Sequence, residues 1–172
     1  MHPNPNLEST AEPHPYGSNG RVAGIFDTQR DDIIHEWLDQ VLEDPGIPTD
    51  SLTVDQVRGQ FPQLFDDLTG TMSRDDGGLI AEKSRNDCGQ YGAARWQQGF
   101  ELPAMLRELT HFRCILIDRL VLFEADNDDF GMVARLYVIG TLHRFLKQMG
   151  IDAVGQFLNE GVHQREHAKT AA

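Results

Sequence analysis

Basic residues are scarce in this sequence: 15 lysines and arginines stand against 27 aspartates and glutamates, a formal net charge of −12. A nucleic-acid binder needs a cationic stripe that displaces counterions from phosphates. The Arg and Lys residues here are scattered, which argues against nucleic acid as a partner and disfavours anionic membranes; the acidity itself reads as solubility. Long hydrophobic runs are also missing. No segment approaches the roughly 20 apolar residues of a membrane helix, so no membrane partner is expected. The basic region and apolar segment of a secretory signal are absent from the first residues, and the expected location is the cytoplasm. There are two cysteines, Cys88 and Cys114. They form neither a CxxC pair nor a zinc ladder, and both read as reduced, packed small hydrophobes. No Walker sequence, nucleophile elbow, nucleotide-binding glycine box or H-x-x-K-G pattern occurs. With no catalytic, cofactor or metal residues to nominate, the chain is expected not to be an enzyme and to carry no cofactor.

What is present is one domain's worth of helical pattern. A chain of 172 residues with 40% hydrophobic and 24% charged residues supports a single well-buried core. Residues 1–24 are rich in Pro and Gly and nearly aperiodic, the composition of a flexible N-terminal arm. The domain is expected over 25–167, and a disordered tail over 168–172. Helices are expected from about Thr28 to Glu43, from the Thr53–Gln56 capping box onward with a break at Pro62, from Leu79 to Gln98, and from Leu102 to Glu124. None of these segments alternates with period two, so the class is all-α.

A last helix from about Asp129 to Glu166 is expected to run for about 50–55 Å, and it carries two apolar seams. Leu136, Ile139, His143 and Leu146 form one. Val138, Leu142, Phe145 and Met149 form the other, about 110° away at 100° per residue. Two seams suggest one face for the chain's own core and one for a partner helix. Leu142, Phe145, Leu146 and Met149 are the expected dimer contacts.

Several motifs carry less than they promise. His163-Gln-Arg-Glu-His167 matches H-x-x-E-H, but a catalytic zinc needs a third ligand and a shaped cavity, and only small or polar residues follow. Asp126-Asn-Asp-Asp-Phe-Gly131 opens like a calcium loop. It has Phe130 at a ligand position and Tyr137 where the bidentate acid belongs, so Asp128 or Asp129 is expected to cap the last helix instead. His143 with Lys147 one turn later suggests a phosphotransfer histidine. Its place on an apolar seam predicts a packed or interface residue.

The most informative stretch is Tyr91-Gly-Ala-Ala-Arg-Trp-Gln-Gln-Gly-Phe100. It sets a glycine corner between two helices, with Pro103 suited to the first turn of the second. Taken with Trp37, Phe61-Pro-Gln-Leu-Phe-Asp-Asp-Leu68, Leu106-Arg-Glu-Leu109, Phe112-Arg113 and the long last helix, it resembles the RsbR/RsbRD N-terminal domain family. These are non-haem, globin-like input domains of stressosome proteins and of some bacterial sensor histidine kinases, and the likeness covers about residues 27–160. The resemblance implies a globin-like helical bundle that dimerises through its terminal helix and signals to an output domain or partner protein, such as a STAS domain or a kinase core. Neither of those is present within the 172 residues. It also implies a ligand pocket or signalling corner at Arg95, Trp96, Gly99 and Phe100.

Haem-containing globin-coupled sensors, which are distantly similar, carry a histidine four residues before that corner. Arg95 holds the position here, and a guanidinium offers iron no lone pair. Arg95 would pair with a carboxylate or an anionic ligand, a surface salt bridge being the commoner role for such a residue. A haem-binding gas sensor ligated through His111 is the alternative function, and a helical phosphotransfer protein a further one.

Overall fold

The computed structural model describes residues 17–74 and 79–170, with side chains placed through Gln164. Seven helices and no strand occur among these residues: α1 Ser18–Thr28, α2 Arg30–Glu43, α3 Val54–Arg58, α4 Phe61–Arg74, α5 Glu82–Gln97, α6 Leu102–Ala125 and α7 Met132–Thr170. The class is all-α with a long C-terminal helix. At 1.5 Å per residue, the 39 residues of α7 extend about 58 Å.

The local punctuation follows the residues. Thr53 caps α3, its side chain accepting from the Gln56 amide while the Gln56 side chain accepts from the Thr53 amide, so two orphan donors are satisfied reciprocally. Pro103 lies in the first turn of α6. α5 ends in a Schellman turn: Gly99 takes φ +81, its amide bonds the Trp96 carbonyl at 2.9 Å, and the Phe100 amide bonds the Arg95 carbonyl at 3.0 Å. A side chain at that φ would be strained, which is why glycine holds the corner.

α1 packs on α4 and α7, α2 on α6 and α4, and α5 along α7. The middle of the core is aromatic. The rings of Trp37 and Phe61 stack at 3.5 Å, Phe112 stands edge-on to Phe61 at 4.7 Å, and Phe65 flanks Phe112. Trp37 Nε1 donates to the Glu108 backbone carbonyl at 3.1 Å, meeting the need of a buried indole for an acceptor.

Three boundaries differ from the sequence pattern. The arm expected over residues 1–24 does not include residues 18–24, which belong to α1; its residues 1–16 lie outside the described residues. Val22, Ala23 and Phe26 of that helix are fully buried, and Asn19 Nδ2 donates to Thr141 Oγ1 across to α7 at 3.0 Å. Tertiary burial therefore outweighs the local glycine content of this segment. At the other end, residues 168–170 continue α7 instead of starting a tail. Between α6 and α7, neither Asp128 nor Asp129 caps the last helix. Asp129 binds Arg21 of α1 at 3.0 Å, Asn127 donates to the Phe123 carbonyl at 2.7 Å, and Phe130 is buried edge-on against Phe123.

Candidate functional site at the α5 corner and along α7

Arg95 sits in the last turn of α5 and points inward. It is 1% exposed, so the surface salt bridge is replaced by a buried one. Its Nε donates to Glu108 Oε2 of α6 at 2.7 Å, and Tyr91, one turn earlier on α5, donates its hydroxyl to the same oxygen. The rest of the guanidinium reaches α3. One amino group donates to the Val57 carbonyl at 2.6 Å, the other to the Gln56 carbonyl at 3.3 Å and to Gln98 Oε1 at 2.7 Å. The tyrosine and Phe100 rings flank its charge at 4.9 and 5.0 Å, a cation–π arrangement.

Burial raises the Glu108 carboxyl above its ordinary range, against the opposing pull of Arg95 and the hydrogen bonds it accepts. Burial, with the Glu108 charge beside it, raises the Tyr91 phenol well above its usual value. Glu108 Oε1 is buried without a partner. Glu108 and Tyr91 are 0% and 1% exposed, so no reactant reaches these groups. The network ties α3, α5 and α6 together at one point.

The four expected corner residues therefore divide. Trp96, Gly99 and Phe100 line an open hollow of about 610 Å³ together with Leu102, Phe157 and Gln164, whereas Arg95 does not reach it. Trp96 lies edge-on to Phe157 at 5.2 Å and covers Gly161, where an added Cβ would come within 3.0 Å of the indole. Sequence reasoning did not assign Glu108 a role. Its one signal was a carboxylate inside the apolar repeat of Met105, Leu109 and Phe112, spaced to face inward with them.

His111 does not turn toward the interior. Its Nε2 meets Asp44 Oδ2 at 2.7 Å and its Nδ1 meets Gln40 Oε1 at 3.1 Å, so both ring nitrogens are engaged. Arg107 also holds Asp44, with contacts of 2.8–3.1 Å. Hydrogen bonds from Arg107, His111 and the Gly46 amide hold the Asp44 carboxyl well below the usual range. Cys88 is buried on α5, and desolvation pushes its thiol up to about 12; Cys114 is exposed. His163 lies on α7, and the side chain of His167 lies outside the described residues. Among the described residues, no cluster of three His, Cys, Asp or Glu is placed to hold a metal ion, and no helix is long and apolar enough to cross a membrane.

The two seams of α7 divide between core and surface, and three of the four expected dimer contacts fall on the core side. Val138, Leu142, Phe145 and Met149 are 0–1% exposed, so Leu142, Phe145 and Met149 belong to the subunit's own core and are not a free face. Leu146 is partly buried against that core. The other seam is the more open one: Leu136 and Ile139 are 62% and 36% exposed, and Met132, one turn before Leu136, is 73% exposed. His143 lies on this side and is exposed, not packed. No known protein family, curated protein or solved structure matches this chain.

Proposed function

We propose that this chain is a non-catalytic sensory or regulatory input domain of globin-like type, cytoplasmic, which pairs with a second copy through α7 and passes a signal to an output domain or partner protein. The observation that carries the reading is the apolar stripe of Met132, Leu136 and Ile139, left exposed along a helix whose opposite side is fully packed. Their i, i+4, i+7 spacing is that of a helix seam meeting another helix, and contiguous exposed apolar surface marks an interaction face. The Arg95 position adds support: the residue standing where a sensor globin would hold iron is engaged by Glu108, Gln98 and two α3 carbonyls. Signal transfer in such a domain requires a ligand or partner that binds two arrangements of the dimer unequally.

Sedimentation velocity tests the pairing. The native chain is expected to sediment as a dimer, and Leu136→Glu as a monomer with an unchanged helical spectrum. A native chain that stays monomeric at high concentration would sink the reading. Titration with haemin checks the gas-sensor alternative, and a Soret band of bound haem, abolished in His111→Ala, would replace the present proposal. A phosphotransfer role is favoured only by the exposure of His143, and acid-labile phosphate on that residue in the presence of a kinase would establish it.

A further inference from the structure

Below the apolar stripe, α6 and α7 separate into a groove of about 470 Å³, within the range of small-molecule sites, which often form between the helices of bundles. Its walls are apolar: Leu109 and Ile117 from α6, Ile139 and Leu146 from α7. Three nitrogen-bearing side chains, Arg113, His143 and Lys147, line the same groove, and none of its lining residues is acidic.

That grouping is unusual in this molecule. Most other described cations are matched with carboxylates, among them Arg21 with Asp129, Arg30 with Asp66, Arg85 with Asp152, Arg107 with Asp44, Arg119 with Glu36 and Arg135 with Glu124. Arg113, His143 and Lys147 make no ion pair or hydrogen bond among the described residues. A chain of net charge −12 thus leaves positive groups unmatched beside one of its apolar hollows.

We infer that this groove binds a small amphipathic anion, whose apolar body lies between α6 and α7 and whose single acidic group is met by Arg113, Lys147 and His143. An acidic group held by two cations and an imidazole gains charge-assisted hydrogen bonds, and the apolar walls account for the rest of the ligand. A second copy of the chain fits this part of the surface poorly, because a two-fold contact would bring the same three groups toward their own counterparts. The site is formed by one chain and does not depend on dimer formation. It borders the proposed dimer stripe at Ile139, so a bound ligand would touch the helix pair that the dimer uses.

The test uses two probes that share a ring system. Anilinonaphthalene sulfonate carries the acidic group, and N-phenylnaphthylamine lacks it. Fluorescence titration of the full chain is expected to give one saturable sulfonate site per chain, with the neutral probe bound at least tenfold more weakly. The double change Arg113→Glu with Lys147→Glu is expected to weaken sulfonate binding at least tenfold. Thr110 is exposed and lines the groove, so Thr110→Trp blocks the site without entering the core and is expected to abolish binding, with the thermal unfolding curve unchanged. Leu136→Glu should leave binding intact while removing the dimer, which separates a failure of this inference from a failure of the pairing. Equal affinity for the two probes, sulfonate binding that survives the charge reversal, or loss of binding in Leu136→Glu would each overturn it.

Discussion

α7 meets α5 and α6 in opposite ways, and the difference comes from side-chain size. Against α5 the helix is sealed at the Gly92 crossing, although an open, polar hollow of about 780 Å³ runs beside it between the same two helices. Gly92 lies so close to α7 that a Cβ there would stand 2.0 Å from the Ala153 carbonyl oxygen, and Met149, Ala153 and Phe157 on α7 are at most 2% exposed. Small residues at a crossing let two backbones approach. Against α6 the larger side chains Leu109, Ile117, Ile139 and Leu146 hold the helices apart and line a groove. One side of α7 is therefore packed within the subunit, and the other keeps apolar side chains exposed.

The largest effect should come from the buried ion pair that joins α5 to α6, away from either face of α7. Arg95→Met leaves Glu108 as an uncompensated buried carboxylate, which costs about 3–5 kcal/mol when a buried pair loses one partner. Chemical denaturation should show the loss as a lower midpoint with little change in slope. Adding Glu108→Met should recover much of it, because the penalty lies in the orphaned charge and not in the absence of the pair. If the double variant is no more stable than Arg95→Met, the Arg95 bonds to the Gln56 and Val57 carbonyls matter more than the ion pair.

A somewhat smaller effect is expected at the α5–α7 crossing. Gly92→Ala forces a methyl group against backbone, not against a flexible side chain, so the helices must move apart at about 2–3 kcal/mol, in the range for an overpacked core. At about 2–4 °C per kcal/mol for a chain of this size, the melting temperature should fall by about 4–12 °C. A fall of under 1 °C would show that the crossing is not as tight as its geometry states. The equivalent change on the open side, Gly140→Ala, meets only the end of the Arg144 side chain at 3.5 Å and is expected to be neutral or slightly stabilising through helix propensity.

Part of the fold was legible in the sequence. The capping box at Thr53, Pro103 and the Gly99 corner each marked a helix end through chemistry local to a few residues, and all three stand where the pattern put them. The partner of Arg95 was not legible, because Arg95 and Glu108, 13 positions apart, meet only through the turn the corner makes between α5 and α6. The α1 helix was hidden for a related reason. Gly17, Gly20 and Gly24 read locally as a breaker-rich arm, and only contact with α4 and α7 rescues the segment. For α7 the periodicity showed that two apolar seams exist. Which of them faces inward depends on how α1, α4 and α5 approach, and a helical wheel contains no information about its neighbours. The placement of Leu142, Phe145 and Met149 at a partner surface failed on that point alone.

The smallest effect on the fold should accompany the largest on assembly, and that asymmetry tests the comparison most directly. Leu136 is 62% exposed, so Leu136→Glu removes little buried area within the subunit and is expected to change unfolding free energy by less than about 0.5 kcal/mol. Phe145, about two and a half turns along the same helix and 1% exposed, should lose about 3–5 kcal/mol on truncation to alanine through the transfer and cavity terms together. Stability must be compared at matched, low protein concentration, because a dimer adds apparent stability by mass action. With that controlled, a stable and monomeric Leu136→Glu beside a destabilised but still self-associating Phe145→Ala would assign the two seams of α7 to separate tasks. If Leu136→Glu instead destabilises the subunit as much as Phe145→Ala does, the stripe belongs to the fold in solution, and the division between a sealed and an open side collapses.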